Sequence, residues 1–422
     1  MAESYSVKAV LCAEDKNFSS MMKSCNSYAE NLKNTLTSGI GFGAMAAIGS
    51  KAVSAVGSGL KSLTTGAISA GANFENAMSS VAAISGATGS DFDRLSEKAK
   101  QLGKSTQYTA SETASAMEYM AMAGWKTEDM LNGIEGVMDL AAASGEDLAG
   151  VSDIVTDAMT AFGLSANGTT KIIKDGFTKE VSNASHFADV LAAASANSNT
   201  NVAMLGESFK YAAPVAGSLG YSVEDTAIAL GLMASSGLKS SMAGSSLRTI
   251  LTNLAKPTDD ISDAMDYLGI SLQNGDGSMK SLMDIVTDLR GAFGQCKMPM
   301  DQFQENLAKL DEKYANGELT EKKYNEALAD LTEKAYGAEG ALKAKYAATL
   351  AGKEGMSGLL SIVSAAPEDF DKLTNAIYNS DGAAKEMAEI KMDNLQHDVV
   401  KLQSAMEGLG ITAFNQVGGK MR

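Results

Sequence analysis

No proline occurs before Pro214, and only Pro257, Pro299 and Pro367 follow it. A chain of 422 residues with 41 glycines and four prolines has nothing to break its helices from within over its first half. Glycine therefore does the punctuating, and most glycines fall where a helical pattern stops. Ala, Met and Ser fill the space between, with aromatic residues at 6%. Small side chains of this kind suit helices that approach one another closely, and β-sheets want branched and aromatic ones. The expectation is an all-α chain of many short to medium glycine-capped helices.

Hydrophobic residues make up 45% and charged residues 20%, enough apolar material for at least one sizeable core. The formal net charge of −16 opposes wrapping by DNA, which needs Lys and Arg to displace counterions. No specific nucleic-acid binding is expected. Cys12, Cys25 and Cys296 are odd in number and far apart, so they predict neither a disulfide framework nor a zinc site. They fit a reducing cytoplasm. The stretch Met1–Cys12 lacks a basic run followed by an apolar one, so no signal peptide is expected.

Along the chain, residues 4–11 alternate loosely and predict one short N-terminal strand. Asn17 to Leu36 is helical in pattern, giving a first segment of residues 1–36. Residues 37–73 form a glycine- and alanine-rich segment in which Gly39 and Gly43 stand four apart, the spacing that brings helices close. Lys51 and Lys61 interrupt it before the roughly 20 apolar residues of a spanning helix are reached. It predicts an amphipathic, assembly-buried helix, with contact to a bilayer after release as the alternative.

Residues 74–258 hold the clearest helix starts. Ser90-Asp91-Phe92-Asp93, Thr109-Ala110-Ser111-Glu112 and Ser222-Val223-Glu224-Asp225 are spaced as capping boxes. Behind them run stripes expected to stop at Gly103, Gly124 and Gly237. Trp125, the one tryptophan, follows Gly124 at a corner between helices and reads as a core anchor, with contact to a partner subunit as the rival reading. Phe74, Met78, Gly124 and Trp125, with Gly39 and Gly43, are the candidate packing and interaction residues. Met117, Met120, Met122, Met138, Met159 and Met233 sit on helix faces, where a flexible thioether packs adaptably. Residues 168–186 predict a short extra helix carrying Ile172, Ile173, Phe177 and Val181. Residues 259–300 read as a helical connection. In 301–350, Phe303, Leu307, Leu310 and Tyr314 and then Tyr324, Leu328, Leu331 and Ala335 keep a 4-3-4 spacing around Asn316-Gly317, an antiparallel helical hairpin. Residues 351–422 return to the helical vocabulary of the earlier block.

Reactive constellations are missing from the pattern. The two histidines, His186 and His397, have neither an HxxxH partner nor a cysteine nearby, so no metal or cofactor is expected. There is no Gly-x-Ser-x-Gly elbow and no phosphate loop. Glu128, Asp129, Glu146 and Asp147 lie at predicted helix starts, where carboxylates favour the helix dipole.

Several words recur in a distinctive order: Phe74-Glu75-Asn76-Ala77-Met78-Ser79, Ala83-Ile84-Ser85-Gly86-Ala87-Thr88-Gly89, Met122-Ala123-Gly124-Trp125, Leu140-Ala141-Ala142-Ala143-Ser144-Gly145, Asn197-Ser198-Asn199-Thr200-Asn201-Val202 and Leu254-Ala255-Lys256-Pro257-Thr258. Together they closely resemble the shared region of phage tail tape measure proteins, over about residues 74–410 apart from insertions at 168–186 and 301–350. The resemblance implies a non-enzymatic virion tail component made in the bacterial cytoplasm. Copies lie in the lumen of the tail tube, set its length during assembly and leave ahead of the DNA. The implied partners are other copies of the chain, tail tube and baseplate or initiator proteins and tail assembly chaperones, with host membrane contact on ejection. A membrane-active helical protein and a tail-associated cell-wall hydrolase are the alternatives. A fully helical chain of this size would span about 630 Å. Since the sequence stops soon after the shared block, at Gly418-Gly419-Lys420-Met421-Arg422, it is expected either to serve a short tail or to be a piece of a longer protein.

Overall fold

The computed structural model describes residues 69–174, 177–294, 300–332 and 339–418. The strand expected at residues 4–11, the helix from Asn17 to Leu36, and Gly39 and Gly43 lie outside these residues. In chain order the elements are α1 (69–85), α2 (Ser90–Ser105), α3 (Ala110–Met122), α4 (Thr127–Ser144), α5 (Leu148–Ala161), β1 (Thr169–Lys174), β2 (Phe177–Ser182), α6 (Asn183–Asn197) and α7 (Val202–Ser218). There follow α8 (Val223–Ser235), α9 (Ser240–Ala255), α10 (Asp259–Leu268), α11 (Leu282–Gly294), α12 (Met300–Ala315), α13 (Glu321–Thr332), α14 (Glu339–Val363), α15 (Pro367–Tyr378), α16 (Ala383–Met392) and α17 (Leu395–Gly418). The chain is all-α apart from one small two-stranded sheet.

Glycine ends these helices by a specific geometry. After α3, Gly124 takes φ 88°, a left-handed conformation that a Cβ would strain. Its N–H donates to the Ala121 carbonyl at 2.9 Å and the Trp125 N–H to Met120 at 3.0 Å, the paired bonds of a Schellman cap. The same pair of bonds recurs at Gly163, Gly220, Gly237, Gly269 and Gly317. Gly103 is different. It lies inside α2, which continues to Ser105, and is buried where a Cβ would come within 2.5 Å of the Ala110 nitrogen. The expected stop is thus a point of close backbone approach between α2 and α3.

The capping boxes divide three ways. Thr109 and Glu112 form a complete one, with Glu112 N–H donating to Thr109 Oγ1 at 3.1 Å and Thr109 N–H to Glu112 Oε2 at 2.8 Å. Ser222 caps α8 through the Asp225 N–H at 3.0 Å, but the Asp225 carboxylate goes elsewhere. Ser90 is the first residue of α2 and not its cap; Gly89 holds that place with no side-chain bond.

Residues 168–186 form no extra helix over their first part. Thr169–Lys174 and Phe177–Ser182 pair antiparallel, with Thr170 opposite Val181 and Ile172 opposite Lys179. β-branched Thr, Ile and Val favour a pleated surface, and the intervening Asp175-Gly176 is a hairpin dipeptide. The apolar spacing was compatible with either period, and these two local preferences decide it.

The described residues divide into two compact units, one of residues 69–135, 147–153 and 388–418, the other of 136–146 and 154–387. In the first, α2 packs on α3 and α17 packs on both. Phe74, Met78, Leu95, Leu102, Met117, Met120, Trp125 and Met130 are buried there, and Ser404 Oγ donates to the Gln107 carbonyl at 2.7 Å. In the second, α9 packs against both α7 and α14. Small residues make this possible: a Cβ on Gly244 would fall 2.9 Å from the Ser208 carbonyl carbon, and one on Gly355 would be 3.2 Å from Ile250 Cγ1. Hydroxyls bridge the same seams, Ser208 Oγ to the Ser240 carbonyl at 2.8 Å and Ser246 Oγ to that of Gly355 at 3.2 Å. Nearby α8 is buried almost all round, from Val223 to Ala234. Phe162, Phe187 and Phe209 cluster with centroids 5.6 to 6.5 Å apart. Each edge-on pair adds about 1 kcal/mol to the burial of its rings.

The helical hairpin forms as its spacing predicts. α12 and α13 pack together across the turn at Gly317, and Tyr314 and Tyr324 meet with centroids 4.6 Å apart. A separate helix, α14, begins at Glu339 and bends at Gly352.

Candidate functional site

Helix starts leave N–H groups without partners, and each start concentrates positive potential. In the second unit several of these donors are met by carboxylates from other parts of the chain, two of them on other helices. Asp225, 3% exposed in the first turn of α8, accepts from the Met283 N–H at 3.2 Å at the start of α11. Its other oxygen accepts from Tyr378 Oη at 2.5 Å. Asp189, 7% exposed within α6, accepts from the N–H groups of Gly382 at 2.8 Å and Ala384 at 3.0 Å, where α16 begins. Glu146 accepts from the Ala203 N–H at 3.1 Å at the start of α7.

The opposite end of a helix is closed by the opposite charge. Arg290 of α11 donates to the carbonyls of Ile362 at 2.7 Å and Ala365 at 2.8 Å, at the C-terminus of α14. Its guanidinium lies 4.4 Å from the centroid of the Phe370 ring. Burial lowers its pKa, opposed by Asp371.

His186 and Glu224 complete this network, with Nε2 and Oε1 2.9 Å apart. Burial alone would push the Glu224 carboxyl up; the hydrogen bond and charge of His186 outweigh it and hold the group below the ordinary range. Asp189 moves the other way. Burial raises it, and the two backbone donors offset only part of the effect. The Tyr378 hydroxyl is held well above its ordinary value by partial burial and then by the Asp225 carboxylate.

Such an arrangement is poor for acid–base catalysis and good for fixing helix positions. Both oxygens of Asp189 and both of Asp225 already accept hydrogen bonds from the protein. Among the described residues no group of three or more His, Cys, Asp or Glu could hold a metal ion. No helix of the described residues is long and apolar enough to cross a membrane.

The acidic residues singled out from sequence behave as local or tertiary caps. Asp129 Oδ2 accepts from the Lys126 N–H and Asp147 Oδ2 from that of Gly150, each at 2.7 Å. Glu128 instead makes a two-pronged pair with Arg94, at 2.5 and 3.0 Å. Of the candidate packing residues, Phe74, Met78 and Trp125 are 5%, 1% and 4% exposed. Met117, Met120, Met138, Met159 and Met233 are likewise buried, while Met122 is 55% exposed. Asp189 and Arg290 escaped the sequence reading, and Asp225 entered it only as the last residue of a capping box. One signal pointed to the first: a lone carboxylate inside the apolar word Phe187-Ala188-Asp189-Val190-Leu191.

The fold and its buried polar groups define a predominantly helical scaffold in which ionic side chains join helix ends. The description "Phage-related minor tail protein" matches residues 96–352, and the chain belongs to that family of structural tail proteins. It is 34% identical over 407 residues to the tape measure protein of Pneumococcus phage Dp-1, an alignment covering 96% of this chain and 30% of that protein. It is 25% identical over 329 residues to the probable tape measure protein of Escherichia phage P2, covering 78% and 34% of the two chains. The chain thus spans about a third of the length of these relatives. No solved structure matches it. The tape-measure resemblance read from the sequence is borne out, and with it a place in the virion tail.

Proposed function

We propose that copies of this chain lie in the lumen of the growing tail tube, made in the host cytoplasm and delivered by tail assembly chaperones. There they meet tube and baseplate or initiator proteins, fix the length at which the tube stops growing, leave ahead of the DNA and touch the host membrane on the way. The observation that carries the reading is the similarity to the Dp-1 tape measure protein over 96% of the chain. The helical content adds a physical means, because a helix converts residue count to distance at about 1.5 Å per residue.

Tail length in assembled particles tests it. Deleting residues 301–332, which form the exposed hairpin arm, removes helix worth roughly 50 Å when laid end to end. Tails measured by electron microscopy should shorten by a corresponding amount, and reinsertion of helical sequence should restore them. Tails of unchanged length reject the ruler role.

A further inference from the structure

Asn-Gly occurs four times in the chain, at Asn132-Gly133, Asn167-Gly168, Asn274-Gly275 and Asn316-Gly317. Glycine leaves the backbone nitrogen after asparagine unshielded by a Cβ, so that nitrogen can reach the carbon of the asparagine side-chain amide. At three of the pairs the nitrogen is held. Gly133 is buried within α4, where the helix ladder engages its N–H. The Gly168 N–H donates to the Ser165 carbonyl at 3.1 Å, and the Gly317 N–H to that of Tyr314 at 3.0 Å. Gly275 differs. Asn274 and Gly275 are exposed in the turn between α10 and α11, and among the described residues no backbone carbonyl accepts from the Gly275 N–H.

The turn around Gly275 is nonetheless well formed. Gln273 pairs with Met279, the Asn274 N–H donates to the Ser278 carbonyl at 2.8 Å, and the Gly277 N–H donates to the Asn274 carbonyl at 3.0 Å. Asn274 Nδ2 donates to Ser278 Oγ at 3.0 Å, and that hydroxyl donates to Asp276 Oδ1 at 2.6 Å. From this arrangement we propose that Asn274 is a site of self-modification, deamidated through attack by the Gly275 backbone nitrogen. That nitrogen gives its proton to hydroxide and bonds to Asn274 Cγ. The Cγ–Nδ2 bond breaks, and the departing nitrogen takes a proton from water and leaves as ammonia. Water then opens the succinimide ring at either carbonyl, leaving aspartate or isoaspartate. The turn is built to feel the change. An amide that donates to Ser278 becomes a carboxylate that only accepts, and it competes with Asp276 for one hydroxyl proton. Isoaspartate also routes the backbone through the former side chain and adds a methylene inside the turn. The segment leading into α11 thus carries a slow, irreversible switch.

Mass spectrometry of peptides from the full chain, kept folded at mildly alkaline pH, tests the proposal. In the folded chain Asn274 should convert about tenfold faster than Asn132, Asn167 and Asn316, the weight of the backbone hydrogen bond that must first open at those three. In chain unfolded by denaturant the four should convert at similar rates, because the protecting bonds are gone. Both aspartate and isoaspartate should form, and the rate should climb with pH, since Gly275 attacks only after losing its proton. Gly275→Ala should slow Asn274 to the rate of the other three. A Cβ there meets nothing within 4 Å and the backbone is not left-handed, so this variant keeps the fold. Asn274→Asp, which reproduces one product, should quicken hydrogen exchange at the Gly277 and Lys280 amides that close the turn. Four results overturn the proposal: equal rates at the four asparagines of the folded chain, aspartate as the sole product, a Gly275→Ala chain that converts as fast as wild type, or unchanged exchange in Asn274→Asp. The chemistry needs only the folded turn and water, so it stands or fails separately from the ruler role.

Discussion

α7, α9 and α14 on one side, and the α12–α13 arm on the other, are built from the same helical element and held by different forces. In the first group glycine and serine let backbones touch: Gly244 meets Ser208, and Gly355 meets Ile250 and the Ser246 carbonyl. In the arm Leu307, Leu310, Leu328 and Leu331 are only half-buried, Tyr314 is 42% exposed, and ion pairs such as Lys309–Glu305 line the surface. Close packing leaves no slack, so each buried contact is individually costly to disturb. The arm spreads its stability over weak, solvated contacts, and any one of them is dispensable.

The largest expected effect is therefore at Gly244. A valine there meets the Ser208 backbone, which cannot turn aside, and should cost about 3 kcal/mol or prevent folding. Gly291 is the control, a helical glycine with nothing within 4 Å of an added Cβ. Gly291→Ala should stabilise by up to about 1 kcal/mol through helix propensity alone. Chemical denaturation of both variants measures the contrast, and similar midpoints would break it.

Next comes the carboxylate network. Asp225→Ala strips the Met283 N–H and the Tyr378 hydroxyl of their acceptor and should cost about 2 kcal/mol, read by the same denaturation. Asp225→Asn, which keeps an acceptor, should cost less. Equal losses would mean that charge, and not the paired acceptor, is what the site needs.

A pH titration sharpens the point. Glu224 has a folded pKa below its ordinary value, so its pairing contributes stability above the ordinary glutamate range and loses it as pH falls through the lowered value. Asp189 is raised, so its contribution is present at acid pH and declines as pH rises through the raised value. Glu224→Gln should remove part of the acid-side loss, and Asp189→Asn should remove part of the decline on the way to neutrality. Identical pH profiles for wild type and both variants would contradict these assignments.

What the sequence disclosed depended on how far apart the partners lie. Gly124 and Gly237 announced their caps because the donors and acceptors sit within six residues. Thr109 and Glu112 formed their box for the same reason. Asp225 was read as the same motif and was not, because burial drew its carboxylate to Met283 and Tyr378, 58 and 153 residues away. Gly103 looked like a stop because nothing local distinguishes an ending glycine from one that admits a neighbouring backbone. The strands at Thr169–Ser182 were missed because apolar spacing was weighed above β-branching and the Asp175-Gly176 turn signal. Local patterns revealed the elements; the links between them required the folded chain.

The smallest effect is expected on the arm. Lys309 and Glu305 are one turn apart with 2.7 Å between charged atoms, and both side chains are more than 60% exposed. Water screens such a pair and ordering two long side chains opposes it, so Lys309→Ala should shift stability by at most about 0.5 kcal/mol. Raising the salt concentration should shrink even that difference. A loss comparable to that of Gly244→Val would show that the arm is clamped as tightly as the stack of α7, α9 and α14, and its removal in the tail-length experiment would then disturb far more than length.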